Sequence, residues 1–142
     1  MEGDRQTLMT DFVVDASVVC GWVLPDENSP VLVAAFEKLQ TANAVAPDIL
    51  WHEVRNVLMM ARRRKRIDFA AAREGIRLLR QLNIVTRPSP GDDVILDLAE
   101  RHKLTAYDAA YFALAVEMKL PLATLDRQLI DAAAQDGVPL LA

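Results

Sequence analysis

Four carboxylates in this sequence stand where an ordinary surface charge would not be expected. Asp15 ends the apolar run Phe12-Val13-Val14, and Glu53 interrupts an apolar stripe made by Leu50, Val54, Val57, Leu58 and Ala61. Asp108 falls in the middle of the arc formed by Tyr111, Phe112, Ala115 and Val116, and Asp126 closes the run Leu122 to Leu125. Each has a structural reading beside a functional one. Asp15 and Asp126 suit helix N-caps, Asp108 suits the acidic position of a capping box opened by Thr105, and Glu53 suits a solvated flank. Taken together they point elsewhere. They come from four distant stretches, and apart from Arg127 no Lys or Arg stands next to any of them in the chain. Carboxylates gathered within a few ångströms repel one another unless a hard cation neutralises them. Their convergence would call for Mg²⁺ or Mn²⁺, which polarises a phosphate and lowers the pKa of a bound water. That chemistry suits phosphodiester hydrolysis by in-line attack, with one metal or two.

The elements that must position these acids follow from periodicity. Phe12 to Val14 reads as a short strand, followed by a helix over Ala16 to Leu24 that Pro25 stops. Ser29-Pro30 opens an amphipathic helix through Val33, Phe36 and Leu39. Ala44 to Ala46 is a minimal strand, and Pro47-Asp48 starts the helix that carries Glu53 and, one turn on, Asn56. Arg62-Arg63-Arg64-Lys65-Arg66 ends that helix, where cations suit the carboxyl-terminal dipole. Asp68 caps a further helix with Ala72, Ile76, Leu79 and Leu82 inward and Arg73, Arg77 and Arg80 outward. Ile84 to Thr86 is the next strand, Pro88 to Gly91 a turn, and Ile95, Leu98, Ala99 and His102 mark the apolar side of another helix. Thr105 caps the helix Tyr107 to Lys119, Leu122 to Leu125 is a buried strand, and a helix through Gln128, Leu129 and Ala133 follows. Pro139-Leu140-Leu141 makes a last short strand.

Short strands separated by helices, with no hairpin turns between them, imply an α/β fold with a mostly parallel sheet covered on both faces. Right-handed crossovers then bring the carboxyl ends of the strands to one rim. That rim receives Asp15 and Asp126, and the first helical turns carrying Glu53 and Asp108 lie nearest to it. His102 reads as a core-edge residue and His52 faces away from its helix's stripe, so neither is assigned chemistry.

Bulk properties narrow the classes. The chain has 142 residues, 52% of them hydrophobic and 25% charged, enough for one well-cored domain. Residues 1–10 show no periodicity and read as a loose arm before a domain spanning 11–142. One cysteine, Cys20, excludes an internal disulfide, and with only His52 and His102 beside it no Cys/His zinc site can be assembled. The amino-terminal stretch carries acids where a signal peptide would be basic, and no apolar run is long enough to span a membrane, so a cytoplasmic location is expected. The net charge of −4 hides an uneven distribution: residues 55–87 hold ten Lys/Arg against two Asp/Glu, making that segment +8 and the remainder −12. The basic segment could be a solvated helical hairpin or a surface that draws RNA toward the acids.

The motifs VVDASV with Asp15 and Ser17, HEVRNVL with Glu53 and Asn56, LTAYDAAYFALA with Asp108, and ATLD with Thr124 and Asp126 resemble the ordered motifs of PIN-domain nucleases. The run DASVVCGWVLPDE followed by these motifs is most similar to VapC-type toxins of bacterial toxin–antitoxin pairs. The resemblance spans residues 12–142. It implies a three-layer α/β/α domain with strand order 3-2-1-4-5, metal-dependent endoribonuclease activity, a homodimer, and an antitoxin partner that blocks the site. Asp15, Glu53, Asp108 and Asp126 match the acidic quartet, and Ser17, Asn56 and Thr124 its supporting polar positions. Gly21 departs from the pattern, because similar toxins often carry lysine before the tryptophan.

Rival readings fit less well. A catalytically silent scaffold that binds RNA or protein should have lost an acid, and none is lost. A phosphoacceptor receiver domain would want adjacent acids after the first strand and a lysine after a late one. An aspartate-based phosphatase would want an acid at position 17, which is serine.

Overall fold

The computed structural model describes residues 10–141. Among these the chain runs β1 (Phe12–Val14), α1 (Ala16–Gly21), α2 (Pro30–Lys38), β2 (Ala44–Pro47), α3 (Leu50–Arg63), α4 (Phe69–Leu79), β3 (Ile84–Arg87), α5 (Asp92–His102), α6 (Ala106–Met118), β4 (Leu122–Ala123) and α7 (Arg127–Asp136). The arm expected over residues 1–10 lies outside the described residues except for Thr10.

Every strand pair is parallel, and the order is β3-β2-β1-β4. The anticipated fifth strand is reduced to a single bridge between Leu140 and Leu122, where Leu122 N donates to Pro139 O and Leu141 N to Leu122 O, both at 2.9 Å. Pro139 has no N–H with which to extend that ladder. The alternation of β1 divides the core. Phe12 and Val14 pack with Val18, Leu32, Leu50, Val54, Leu58 and Leu79 from α1 to α4. Val13 points the other way, among Leu98, Phe112, Leu122 and Leu129 from α5, α6, β4 and α7. Both faces are thus covered, as a parallel sheet requires.

Several element boundaries differ from the sequence reading. Pro47 closes β2 opposite Arg87 of β3, so α3 begins at Leu50 and not at Pro47-Asp48. Helix α1 ends at Gly21, and Trp22 to Leu24 continue as a turn bonded to carbonyls of Val18, Val19 and Cys20. A Cβ on Gly21 would stand 2.8 Å from Cδ2 of Leu32, so glycine at this departure from the family pattern lets α2 settle against α1. Helix α6 does not present one apolar arc. Ala109 through Ala115 are all buried while Val116 is exposed, because α6 contacts β1 and β2 on one side and α5 and α7 on others.

Helix ends are closed locally. At the end of α3, Lys65 adopts a left-handed backbone with φ 62°, Lys65 N bonds Arg62 O at 3.0 Å, and Arg66 N bonds Ala61 O at 2.9 Å. These bonds satisfy carbonyls that the helix leaves unpaired, and they turn the chain into α4. Among the described residues no helix is long and apolar enough to cross a membrane.

Candidate active site

Strand succession reverses direction at β1. From β1 the sheet grows through β2 to β3 on one side, while β4 joins on the other. Such a switch point opens a crevice beyond the carboxyl ends of the strands. Asp15 and the segment Thr124 to Asp126 leave the sheet there side by side, because Val14 is in register with Ala123 and Asp15 N bonds Ala123 O at 3.2 Å.

Asp15 is 4% exposed and anchors a hydrogen-bond network. Its Oδ1 accepts from Ser17 Oγ at 2.6 Å and from Val18 N at 3.2 Å, which also caps α1, and its Oδ2 accepts from Thr124 Oγ1. The two hydroxyls that donate to Asp15 accept in turn. Leu125 N donates to Ser17 Oγ at 3.1 Å and Asp126 N to Thr124 Oγ1 at 2.9 Å. These bonds explain why β4 stops at Ala123 when the apolar run continues to Leu125: the next N–H groups serve side chains and not the sheet. They also fix Asp126 relative to Asp15. Asp126 caps α7, with Oδ1 accepting from Gln128 N at 2.8 Å and Leu129 N at 3.2 Å.

Asp108 and Glu53 approach from the helices. Thr105 caps α6 by accepting from Asp108 N at 3.0 Å, so the capping role read from the sequence is real. It does not account for the carboxylate, which stays half-buried at the rim. Glu53, in the first turn of α3, accepts a 2.6 Å bond at Oε1 from the phenol of Tyr111. Tyr111 is a site residue that the sequence reading assigned to the apolar arc. Two signals together could have found it: a buried phenol needs a partner, and Glu53 intrudes on an apolar stripe that offers none.

Electrostatics tie the four acids into one group. Burial raises Asp15 to about 6, opposed by the bonds from Ser17, Thr124 and Val18 and reinforced by the charge of Asp108. Burial likewise raises Glu53, with Tyr111 opposing and Asp108 adding to the rise. Asp108 is itself raised, first by burial and then by Asp126, against a lowering contribution from Thr105. Asp108 is thus the member that senses or is sensed by the other three. Among the described residues none of the four acids is in an ion pair. Cys20 lies beneath them as a thiol, pushed up to about 12 by burial and by the charges of Asp15 and Glu53, and is no ligand.

The donors presented are carboxylate and hydroxyl oxygens, which suit a hard divalent cation and not a soft one. Among the described residues no three His, Cys, Asp or Glu stand close enough to cage an ion by themselves.

Other residues singled out by sequence lie apart. Asn56 is exposed and bonds none of the acids. Arg62, Arg63, Arg64, Lys65 and Arg66 are all exposed at the far end of α3. Arg66 is the member with a fixed role: its Nη2 reaches Pro25 O at 3.3 Å and Glu27 Oε2 at 3.4 Å, tying α3 to the loop after α1. His102 is a buried core-edge residue, its Nε2 2.9 Å from Asp136 Oδ2 and its ring edge-on to Phe112.

Comparison with known proteins places the chain in a family. The model of the PIN domain matches residues 12–135. Ribonuclease VapC3 of Pyrobaculum aerophilum is 33% identical over 122 residues, covering 84% of this chain and 92% of that protein. Ribonuclease VapC9 of Mycobacterium tuberculosis is 32% identical over 120 residues, covering 84% and 88%. Among solved structures, PAE2754 from Pyrobaculum aerophilum superposes with a TM-score of 0.68 at 24% identity, over 87% of this chain and 86% of that one. Mycobacterium tuberculosis VapC20, a sarcin–ricin loop cleaving toxin, superposes with a TM-score of 0.57 at 13% identity, over 85% and 94%. At those identities the two structures speak to the fold alone. The family match and the relatives more than 30% identical go further: this chain belongs to the PIN-domain family, among the relatives that carry the VapC name.

Proposed function

We propose that this chain is a metal-dependent endoribonuclease that hydrolyses RNA phosphodiester bonds, and that it acts as the toxin of a type II toxin–antitoxin pair. The observation that carries the reading is that Asp15 and Asp126 leave a parallel sheet at its switch point while Asp108 is coupled by charge to Asp15, Glu53 and Asp126, with no cationic partner among the described residues. Relatives named as ribonucleases cover most of the chain and support it. Bound by these oxygens, Mg²⁺ or Mn²⁺ would supply Lewis acidity toward the scissile phosphate and make water a competent nucleophile at neutral pH.

The chain's own part is positioning. Ser17 and Thr124 hold Asp15 and, through the following loop, set Asp126 beside it. Tyr111 occupies Oε1 of Glu53 and leaves Oε2 for a cation or a water. Asp108, half-buried and bonded to Thr105, stands where its charge is coupled to those of Asp15, Glu53 and Asp126. Arg62, Arg63, Arg64 and Lys65 offer the RNA backbone its attractive surface. They stand two to three turns along α3 from Glu53, roughly 15–20 Å at the rise of an α-helix, a span that several nucleotides bridge. A small antitoxin protein covering the rim, a homodimeric assembly and a cytoplasmic setting belong to the same reading.

Cleavage of RNA by the purified protein should stop with EDTA and resume with Mg²⁺ or Mn²⁺, leaving 5′-phosphate and 3′-hydroxyl ends. Cyclic phosphate ends would mean attack by the ribose 2′-hydroxyl and would refute this chemistry.

A further inference from the structure

Glu53, Asn56, Met59 and Arg63 follow one another along α3 at steps of three, three and four residues, so one side of the helix leads from the acid toward its far end. That side ends in a shallow hollow of about 480 Å³ between the end of α3 and the start of α4, walled by Met59, Arg62, Arg63 and Phe69. Phe69 also walls a second hollow along the outer side of α4, with Arg73, Ile76 and Arg77. It is 50% exposed, so a large aromatic surface is left in water among arginines.

These walls combine free cations with one flat apolar face. Among the described residues Arg62, Arg63 and Arg73 are in no ion pair. The nearby acids are committed: Glu74 has both carboxylate oxygens on Arg77, and Asp68 caps α4 by accepting from Ala71 N at 2.7 Å. The guanidinium carbon of Arg73 stands 6.0 Å from the Phe69 ring centroid, the outer limit of a cation–π contact, and does not seal the ring. A fitting occupant brings negative charge together with a planar face. An acidic peptide brings carboxylates that answer only the arginines. A single-stranded nucleic acid brings one phosphate and one π face with every nucleotide, whereas in a duplex those faces are already stacked on one another.

We propose that the Phe69 surface is an exosite for single-stranded RNA: one base stacks on Phe69, the flanking phosphates pair with Arg62, Arg63 and Arg73, and the strand follows the Asn56 side of α3 to the acids. The inference rests on the ribonuclease reading and gives it a substrate class, unpaired RNA long enough to touch both ends of α3. The arginines alone would hold any polyanion. Phe69 makes the surface prefer a strand whose bases are free to stack, and stacking of this kind tolerates any base.

The test uses the full chain in EDTA, where binding is separated from cleavage, with a fluorescein-labelled oligouridine of about twelve nucleotides followed by anisotropy. Phe69→Ala should weaken binding roughly 5- to 100-fold, the range expected for loss of one stacked base, without changing the salt slope. Phe69→Trp should bind at least as well as the wild type, and Phe69→Leu should resemble the alanine variant, because leucine keeps apolar bulk without a π face. Arg73→Ala should instead flatten the dependence of log affinity on log salt by up to about 0.7. The same strand annealed to its complement should be indifferent to Phe69→Ala. An alanine or leucine variant that binds as the wild type does, or a duplex that loses as much as the single strand, would overturn the exosite. So would poly-L-glutamate that competes as well as poly(U) at equal charge, which would assign the surface to an acidic protein partner. A Phe69→Ala variant whose only change is its sedimentation would assign it to a second copy of the chain. Cleavage of a long RNA with Mn²⁺ is scored separately, where Phe69→Ala should raise KM. A wild type that cleaves while binding ignores Phe69 removes the exosite alone, and one that binds through Phe69 without cleaving removes the nuclease reading alone.

Discussion

At the acid rim each oxygen of Asp15 meets a donor, Asp126 caps a helix, and Glu53 is held by a buried phenol. At the far end of α3, Arg62, Arg63, Arg64 and Lys65 extend into solvent, and their neighbours form shallow contacts: Arg77 with Glu74, Arg73 over Phe69, Arg80 over Trp51. The acids are few, partly desolvated and fixed. The arginines are many and exposed. Burying like charges is costly and persists where something bound offsets it, whereas exposed cations cost little and act through the summed field. The difference separates chemistry, which needs sub-ångström placement, from attraction, which needs only sign and density.

The largest effect should come from Asp108→Asn, which removes the charge that the other three acids share without changing volume. Activity should fall at least about 10²- to 10³-fold while the circular dichroism spectrum is unchanged. Asp15→Asn should fall as far, with some loss of order as well, because an amide nitrogen would face donors at Ser17, Val18 or Thr124. Retained cleavage in both purified variants would dissolve the contrast between the two regions.

Tyr111→Phe removes one hydroxyl from a ring that stays packed. Freed of its donor, Glu53 should bind Mn²⁺ roughly 10- to 100-fold more weakly, read from the rise of Tm across a metal titration. An unchanged titration would make Tyr111 a filler of core space only.

Metal bound only to the folded chain should stabilise the wild type by roughly 2.7 kcal/mol at a hundredfold excess over Kd, several degrees in Tm for a chain of this size. Asp126→Asn keeps the cap of α7 but relieves repulsion on Asp108, so the metal-free Tm should rise and the metal-induced increment shrink. Identical melting of the two proteins would mean that the acids do not act as one site.

Burial of Asp15 also has a pH signature without metal. Asp15 is raised from 3.8 to about 6, so between these values the folded chain holds a proton that the unfolded chain has released. Stability should therefore fall as pH climbs from about 4 to about 6, then level off, and Asp15→Asn should flatten that part of the curve. A wild-type Tm that rises steadily over this interval would contradict the burial described for Asp15.

The basic hairpin should give the smallest effect. Replacing Arg62, Arg63 and Arg64 by alanine, with Arg66 kept for its tie to Glu27, should lower RNA affinity and flatten its dependence on log salt by up to about 0.7 per lost phosphate contact. Metal binding should not change. An unaltered salt slope would return these arginines to a solvated surface or to a protein interface.

What the sequence determined by itself was mostly periodic or compositional. The strand–helix alternation, the helices covering both faces of a parallel sheet, the placement of Asp15 and Asp126 beyond strand ends, the core-edge position of His102 and the +8 segment all depend on neighbours within a turn or a strand. The tertiary structure decided the rest. Tyr111 and Glu53 are 58 residues apart, Thr124 and Asp15 are 109, and Leu125 and Ser17 are 108, so their bonds exist only once β1 and β4 have paired in one register and α6 has entered the core. The bonds from Leu125 and Asp126 shortened β4, while the docking of α3 left Asn56 in solvent and gave Arg66 a partner on a distant loop. Local pattern specifies which face of an element is apolar; which polar atom meets which depends on how the assembled elements dock, and no single element encodes that.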